Sequence, residues 1–334
     1  MGSLTDDIEK CYALGWSDGL PVIPPYGTLV DQMCEALGWK PTELVGELKQ
    51  LQLEVRAEQL AATAIMAGCK LDYARLLRTL SLALLDPDFN ISGVAVTTGG
   101  VGVLVVVSGP IVAELGFDHG SNAFGSAARP NATIGRFANM VMRFCGKAGG
   151  VLEEFGTIGH PGRLVYSIAE HPETVWGPYH TQYFVAAEKS AISIMAAEGP
   201  NSVNNHYADT GAKILETIAD CLAHDGSTNF YYRFGGYLVM ITPEHMALVG
   251  RDFSRDGARQ FLLEHAVRPT DDLIRLGRIP TVPKPWTNVE PGKPRAPVMM
   301  ADQISFIEAG GASGKFSAVV PCWVANRTIV RAID

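Results

Sequence analysis

The sequence has neither a long hydrophobic run nor an excess of positive charge. No apolar stretch approaches the roughly 20 residues that a membrane-spanning helix needs, so an integral membrane protein is not expected. Lys and Arg number 27 against 35 Asp and Glu, for a net charge of −8, whereas nucleic-acid binding requires a basic surface. The first residues lack a basic region followed by an apolar one, so a secretory signal is not indicated and a cytoplasmic protein is expected.

Several signatures of cofactor binding are also absent. The six cysteines include no C-x-x-C, which argues against a disulfide framework and a zinc ribbon. No G-x-G-x-x-G occurs, and the run Ala309–Lys315 only superficially resembles a phosphate-binding loop, so a nucleotide cofactor is not expected. The eight histidines show no H-x-H or H-x-x-x-H, so no metal ligand is assigned. A divalent metal held by distant loops stays an open alternative.

The chain of 334 residues alternates helical and extended apolar segments. Its hydrophobic content of 47% and charged content of 19% are typical of a compact globular protein. Helices are predicted over 56–68 and 71–85, and the continuous apolar run Val101–Val107 predicts a buried strand. Residues 93–98 are predicted to form a second strand that pairs with it. Together these segments predict an α/β fold.

The second half of the chain repeats the plan of the first. The apolar strand Gly236–Ile241 corresponds to Val103–Val107, and Ile304–Glu308 corresponds to Leu164–Ala169, at offsets of roughly 120 to 140 residues. We therefore expect two pseudo-symmetric α/β halves from a diverged internal duplication; chance similarity between two α/β segments is the alternative. The expected divisions are an N-terminal segment and helix (1–55), a first half (56–180) and a second half (181–334) with a Pro-rich arm (279–297). The site is expected where the halves meet.

The polar stretch Asp118–Phe137 follows the predicted buried strand and leads into a helix. A glycine-rich loop that ends at a capped helix N-terminus offers free N–H groups and positive potential to an anion. Arg129 could grip a carboxylate or phosphate with two hydrogen bonds, whereas Arg136 is expected to be a packing or salt-bridge residue. The predicted substrate-binding residues of this stretch are Asn122, Arg129, Asn131 and Thr133. An ordinary loop with a capped helix is the alternative.

Three histidines lie in Gly- or Asn-rich loops, where catalytic groups commonly occur. His119, His160 and His206 are therefore candidates for acid–base catalysis near neutral pH. Glu198, which opens the polar loop that ends at His206, is a fourth catalytic candidate. Arg163, which follows His160 closely, is assigned to substrate binding.

The same polar loop is rich in asparagine. Asn201, Asn204 and Asn205 provide amide donors and acceptors that suit a small polar substrate. The alternative is a turn in which these side chains satisfy their own backbone.

Cys69 lies at a predicted helix end beside Lys70, in M-A-G-C-K. A cationic environment would lower the pKa of its thiol and make Cys69 a nucleophile. The alternative is a buried and unreactive cysteine.

Five motifs resemble a poorly characterised bacterial family. They are D-G-L-P-V-I-P-P (18–25), M-A-G-C (66–69), N-A-T-I-G-R (131–136), G-H-P-G (159–162) and A-E-G-P-N (197–201). The likeness covers nearly the whole chain, and members are often labelled hypothetical or thiol-disulfide proteins. The resemblance implies association with a small domain that carries a selenocysteine-or-cysteine G-S-C motif. This chain has no G-S-C, so such a domain would be a separate partner.

The leading functional hypothesis is an enzyme, a lyase or hydrolase, that acts on a small polar, anionic metabolite. Elimination, hydration or hydrolysis is favoured because acid–base candidates are dense and a dinucleotide fingerprint is absent. One alternative is a redox subunit in which Cys69 works with a G-S-C protein, and another is a non-catalytic ligand-binding subunit. A homo-oligomer is also expected, with the Pro-rich arm reaching a neighbouring subunit.

Overall fold

A computed structural model describes residues 3–148, 156–282 and 289–334. These residues form an α/β fold with twelve α-helices and twelve β-strands. The helices are α1 (Leu4–Ala13), α2 (Gly27–Leu37), α3 (Ala57–Ala67), α4 (Ala74–Leu84), α5 (Ile91–Val96), α6 (Ile111–Glu114), α7 (Arg129–Ala148), α8 (Gly211–His224), α9 (Asn229–Tyr232), α10 (Pro243–Asp252), α11 (Arg255–His265) and α12 (Thr270–Arg275). The strands are β1 (Leu44–Leu48), β2 (Leu53–Arg56), β3 (Gly102–Ser108), β4 (Ser167–Ala169), β5 (Ser190–Ala197), β6 (Asn201–Asn204), β7 (Tyr237–Ile241), β8 (Arg268–Pro269), β9 (Pro294–Arg295), β10 (Ile304–Glu308), β11 (Phe316–Pro321) and β12 (Ile329–Ile333).

Two four-stranded mixed sheets form the centre of the molecule, and they have the same internal arrangement. The first sheet has the order β4-β3-β5-β12, and the second has the order β10-β7-β11-β6. In each sheet the first two strands are parallel and the other neighbouring strands are antiparallel. The short strands β1 with β2, and β8 with β9, form two separate antiparallel pairs.

The two sheets pack face to face, with helices on both outer sides. Leu104 and Val106 of β3 share one apolar cluster with Leu238 and Met240 of β7. The outer face of the first sheet packs against α3, α4 and α7, and that of the second packs against α8, α10 and α11. Because β3 is buried on both faces, its sequence is a continuous apolar run, as the sequence analysis expected. The result is a four-layer α-β-β-α arrangement.

The two sheets exchange their fourth strands. β6 follows β5 in the chain but pairs with β11 of the second sheet, and β12 follows β11 but pairs with β5 of the first. The ends of β5 and β11 meet at an antiparallel bridge between Ala197 and Cys322. The sheets therefore do not follow the expected boundary at residue 180, since β5 and β12 come from the range assigned to the second half. This crossing brings loops of both sheets together.

The common strand order supports the expected internal duplication. β3 and β7 have equivalent positions in the strand orders of the two sheets, and so do β4 and β10. These are the strands that the sequence analysis had matched. The duplication itself stays a prediction, because two sheets can share a strand order without a common origin.

Residues 93–98 form no strand, contrary to the sequence expectation. Ile91–Val96 is a helix, and the side chain of Asn90 caps it by accepting a hydrogen bond from the N–H of Gly93 at 3.2 Å. The apolar residues Ile91, Val94 and Ala95 recur at helical spacing and are buried. The strand expected over Leu164–Ala169 is also shorter, since only Ser167–Ala169 is extended.

The described part of the Pro-rich arm packs against its own chain. β9 pairs with β8, and Val289 is buried in a cluster with Phe230 and Leu273. Residues 283–288 of the expected arm lie outside the described residues. Over the three described ranges, no helix has the length and hydropathy required to cross a membrane.

Candidate functional site

A groove of about 660 Å³ lies where the loops of the two sheets meet. The loop between α6 and α7 forms one wall, the loop after β10 forms another, and the ends of β6, β7 and β11 form the floor. The lining residues are Ser121, Asn122, Ala123, Phe124, Gly125, Pro200, Ser202, Met240, Thr242, Gly310, Gly311, Ser313, Phe316, Ser317 and Ala318. Its lining includes residues from both of the expected halves, and its volume falls in the range of small-molecule pockets.

Four polar side chains of the lining have no hydrogen-bonding partner within the part of the chain that the structure describes. They are Ser121, Asn122, Ser202 and Ser313. Two other hydroxyl groups are occupied, since Thr242 Oγ1 donates to the Phe316 carbonyl at 2.6 Å and Ser317 Oγ lies 2.8 Å from His245 Nδ1. The four unpaired groups are therefore the ones that a ligand can use.

Apolar side chains cover the rest of the groove. Phe124 and Phe316 contribute phenyl rings, and Met240 contributes a thioether side chain. Of the described residues that line the groove, none carries an ionisable side chain. Two predicted catalytic residues, Glu198 and His160, lie at the turn that leads to Pro200.

Glu198 lies two residues before Pro200 of the groove wall. Its N–H donates to the Pro321 carbonyl at 2.9 Å, and its carbonyl accepts a hydrogen bond from the Tyr166 hydroxyl at 2.7 Å. No described residue binds the half-buried carboxylate of Glu198. Burial, with a smaller effect of the Asp225 charge, raises the pKa of this carboxyl to about 7. Glu198 is thus an unpaired carboxyl that titrates near neutral pH.

His160 packs against the same turn. Its Nε2 lies 3.1 Å from the Ala197 carbonyl, and its Nδ1 accepts a hydrogen bond from the Gly162 N–H at 3.1 Å. Its ring meets that of Tyr166 edge to face at 5.1 Å, and Tyr166 in turn lies 6.1 Å from the ring of Phe124 in the groove. Burial lowers the pKa of His160, so the ring is neutral at pH 7 and both nitrogens are engaged. The fold thus brings two predicted catalytic residues, Glu198 and His160, to the turn that leads to Pro200 of the groove wall.

His119 and His206 each contact a groove-lining residue without lining the groove themselves. The His119 carbonyl accepts a hydrogen bond from the Gly310 N–H at 2.8 Å, and burial followed by the nearby His171 lowers the pKa of its ring. His119 Nδ1 is buried and has no hydrogen-bonding partner within the described ranges. The exposed ring of His206 lies edge to face with Phe316 at 5.5 Å.

Three predicted substrate-binding residues make structural hydrogen bonds and do not line the groove. The Asn131 side chain accepts from the Asp118 N–H and donates to the Asp118 carbonyl, both at 2.9 Å. Arg129 donates from Nε and Nη2 to the Gly68 carbonyl at 3.1 and 2.9 Å. Thr133 Oγ1 donates to the Arg129 carbonyl at 2.8 Å. Among the predicted residues of this stretch, Asn122 is the one that lines the groove.

The other predicted binding residues also lie outside the lining. Buried Arg163 donates from Nη1 to the Val101 carbonyl at 2.5 Å. The Asn205 amide oxygen accepts from the N–H groups of Tyr207 and Ala208, and its nitrogen donates to Thr217 Oγ1, which is the self-satisfied turn that the sequence analysis gave as the alternative. Asn201 and Asn204 are exposed on the edge strand β6.

Cys69 is buried, with its Sγ 3.4 Å from the Thr133 carbonyl. Burial raises the pKa of the thiol to about 12, although Thr133, Arg129 and Arg136 each act to lower it. The shift is therefore opposite to the lowering that a cationic environment was expected to give. A thiol with this pKa is almost wholly protonated at pH 7 and is a poor nucleophile.

The glycine-rich run after β10 binds one of the chain's own carboxylates. The N–H groups of Gly314 and Lys315 donate to Glu244 Oε2 at 2.8 and 2.7 Å. These two amides are already bound to Glu244 and are not available to a phosphate, so the run does not act as a phosphate-binding loop there. The run still contributes Gly310, Gly311 and Ser313 to the groove. Sequence reasoning missed Ser121, Ser202 and Ser313 as individual residues, although they lie in the three stretches that it singled out, 118–137, 198–206 and 309–315.

Metal ligands were not assigned from the sequence. Within residues 3–148, 156–282 and 289–334, no group of three or more His, Cys, Asp or Glu side chains is placed to hold a metal ion. The alternative of a divalent metal held by distant loops therefore has no ligand set in this part of the chain.

Comparisons with protein-family models, with curated proteins and with solved structures gave no match. Fold alone does not establish function, because unrelated activities occur on the same architecture. The function is therefore inferred from the groove and from the titratable groups at the turn that leads to it.

Proposed function

We propose that this chain is an enzyme of the lyase or hydrolase type that acts on a small polar metabolite bound in the groove. Glu198 is its acid–base residue. The observation that carries this proposal is the short connection between Glu198 and the groove. Glu198 has an unpaired carboxyl and stands two residues before Pro200 of the groove wall. Concave pockets with adjacent perturbed titratable groups are common properties of active sites.

A carboxyl group with a pKa of about 7 exists in both protonation states at neutral pH. It can therefore accept a proton as the carboxylate and return it as the acid. Elimination, hydration and hydrolysis each require such a transfer. In this proposal Tyr166 and His160 are positioning residues, because they hold the carbonyls of Glu198 and Ala197 at the turn.

The experiment is a substrate screen by proton NMR in D₂O with the purified full chain. Small hydroxy acids, unsaturated acids, lactones, amides and glycosides are incubated with wild type, Glu198→Gln and Glu188→Gln. Glu188 is an exposed glutamate outside the groove lining and is the matched control. We expect turnover or C–H deuterium exchange that Glu198→Gln slows by about 100-fold or more, the scale of general acid–base catalysis. Equal rates in wild type and Glu198→Gln would contradict the role of Glu198.

A non-catalytic ligand-binding subunit is the second candidate. The observation that favours it is the lining, in which none of the described residues is ionisable. This candidate predicts a compound that binds wild type and Glu198→Gln with equal affinity and is recovered unchanged. Turnover that depends on Glu198 would reject it.

The redox alternative receives less support. It needs a reactive Cys69, and that thiol is buried with a pKa raised to about 12. Association with a G-S-C protein and a homo-oligomeric state stay predictions. Light scattering of the purified chain, alone and with such a partner, tests both of them.

A further inference from the structure

The groove combines uncommitted hydrogen-bonding groups with aromatic surface. Ser121, Asn122, Ser202 and Ser313 come from three separate segments, and their side chains have no partner among the described residues. A hydroxyl group donates one hydrogen bond and accepts others, and an amide offers both a donor and an acceptor. The groove therefore presents mixed donors and acceptors, not a uniform set of donors.

No described residue of the groove lining carries a positive charge. The ammonium group of Lys315 donates to the His206 carbonyl at 3.1 Å, and the amides of Gly314 and Lys315 are taken by Glu244. Arg129, the predicted anion ligand, donates to the Gly68 carbonyl. Because no cationic side chain lines the groove, an anion there would have only uncharged donors to offset the water that it loses.

The apolar part of the lining fits the same conclusion. The rings of Phe124 and Phe316 offer flat hydrophobic surface, and Phe316 is 41% exposed. A sugar ring has hydroxyl groups around its edge and apolar C–H groups on its faces. Edge hydroxyls can bind the four polar side chains while a C–H face covers a phenyl ring.

We propose that the ligand of this groove is a neutral, polyhydroxylated ring, that is, a sugar or glycoside. This inference rests on the groove being the site of the proposed function, and it replaces the anionic metabolite that the sequence alone favoured. A groove of about 660 Å³ has room for more than one such ring. The four unpaired side chains would set its orientation.

Binding is tested by isothermal titration of the full chain with probes that differ in charge. The neutral probes are the methyl glycosides of glucose, galactose and mannose; the matched anions are glucuronic acid and glucose 6-phosphate. We expect at least one neutral glycoside to bind, and the anions to bind about tenfold more weakly or not at all.

Two variants in one loop locate the binding. Ser313→Trp places an indole in the groove, whereas Ala312→Trp changes the neighbouring residue, which is also exposed and does not line the groove. Ser313→Trp should weaken glycoside binding by about tenfold or more, and Ala312→Trp should bind within about twofold of wild type. Thermal melting of both variants tests whether the fold is retained.

The titrations distinguish the ways in which the proposal can fail. Binding by none of the glycosides, or binding that Ser313→Trp leaves unchanged, would overturn the proposal. Anions that bind as tightly as the neutral probes would overturn the neutral class. A glycoside that binds wild type but is recovered unchanged would count against the catalytic proposal and not against this one.

Discussion

Arg136 and Asp18 form an ion pair with two hydrogen bonds that joins the N-terminal segment to α7. Arg136 Nε lies 2.8 Å from Asp18 Oδ2, and Nη2 lies 2.7 Å from Oδ1. The Arg136 side chain is 13% exposed and the Asp18 side chain is 2% exposed. Nη2 also donates to the carbonyls of Leu20 and Pro21. The sequence prediction of a salt-bridge role for Arg136 is confirmed.

Arg136→Ala should lower the free energy of unfolding by about 3–5 kcal/mol, because it leaves the buried Asp18 carboxylate without its partner. Burial raises the pKa of Asp18, but the hydrogen bonds and charge of Arg136 outweigh burial and hold it below the usual value. The contribution of the ion pair to stability is therefore fully present at pH values above the ordinary pKa of aspartate. It is lost as the pH falls through the lowered pKa of Asp18. Chemical denaturation at pH 7 measures the loss. Arg75→Ala breaks an exposed pair with Glu114 and is the control, expected to cost about 0–1 kcal/mol; equal losses would contradict this account.

Arg129→Ala should cost about 1–2 kcal/mol of stability, because it removes the hydrogen bonds that a charged group makes to the Gly68 carbonyl at the end of α3. Glycoside affinity should not change, since Arg129 does not line the groove. Denaturation and ligand titration on the same preparation give both values. Loss of affinity with full stability would restore Arg129 as a substrate ligand.

Glu170→Gln should change how stability depends on pH. Glu170 is buried and accepts a hydrogen bond from the Tyr179 N–H at 2.7 Å. Burial raises the pKa of its carboxyl from 4.5 to about 8, with Glu308 also raising it and Tyr179 and Arg255 lowering it. Because the pKa of Glu170 is raised in the folded state, its contribution to stability is fully present at pH values below its pKa in the unfolded chain. This contribution is lost as the pH rises through about 8. Glutamine keeps the acceptor but cannot ionise. The variant should therefore gain stability relative to wild type between pH 5 and pH 8.5, and a constant difference in unfolding free energy would contradict the raised pKa.

Cys69 should resist alkylation in the folded protein. Its thiol is buried with a pKa of about 12, so little thiolate is present at pH 7.5. Iodoacetamide labelling followed by mass spectrometry compares Cys69 with Cys221, which is only partly buried and should react faster. Rapid labelling of Cys69 in the native protein would instead favour the redox alternative.

The elements with the longest apolar runs were predictable from the sequence. Val103–Val107 and Tyr237–Ile241 are buried on both faces, so the side chains along them are apolar except for the Tyr237 hydroxyl. Ile91–Val96 was not predictable in this way, because a short, mainly apolar run of six residues fits a buried strand as well as one turn and a half of helix. The cap formed by Asn90 decides for the helix.

The site was harder to predict because its parts come from distant segments. Pro200 and Ser202 reach the groove only because β6 leaves the sheet of β5 and pairs with β11, and the sequence near β6 does not encode that partner. Polar residues such as Asn131 and Asn205 looked like ligands, but their hydrogen bonds satisfy nearby backbone. Composition shows that a side chain can bind a substrate, whereas only the fold shows whether it is free to do so.

The most direct measurement is the pKa of the Glu198 carboxyl itself. Carbon-13 NMR of protein labelled at glutamate carboxyl groups gives one titration curve for each residue, and the signal missing from Glu198→Gln is that of Glu198. We predict a midpoint at about pH 7 for this signal, as a half-buried carboxyl without a partner requires. A midpoint near the ordinary value of 4.5 would mean that water solvates the carboxylate fully. That result would contradict its assignment as the acid–base residue of the groove.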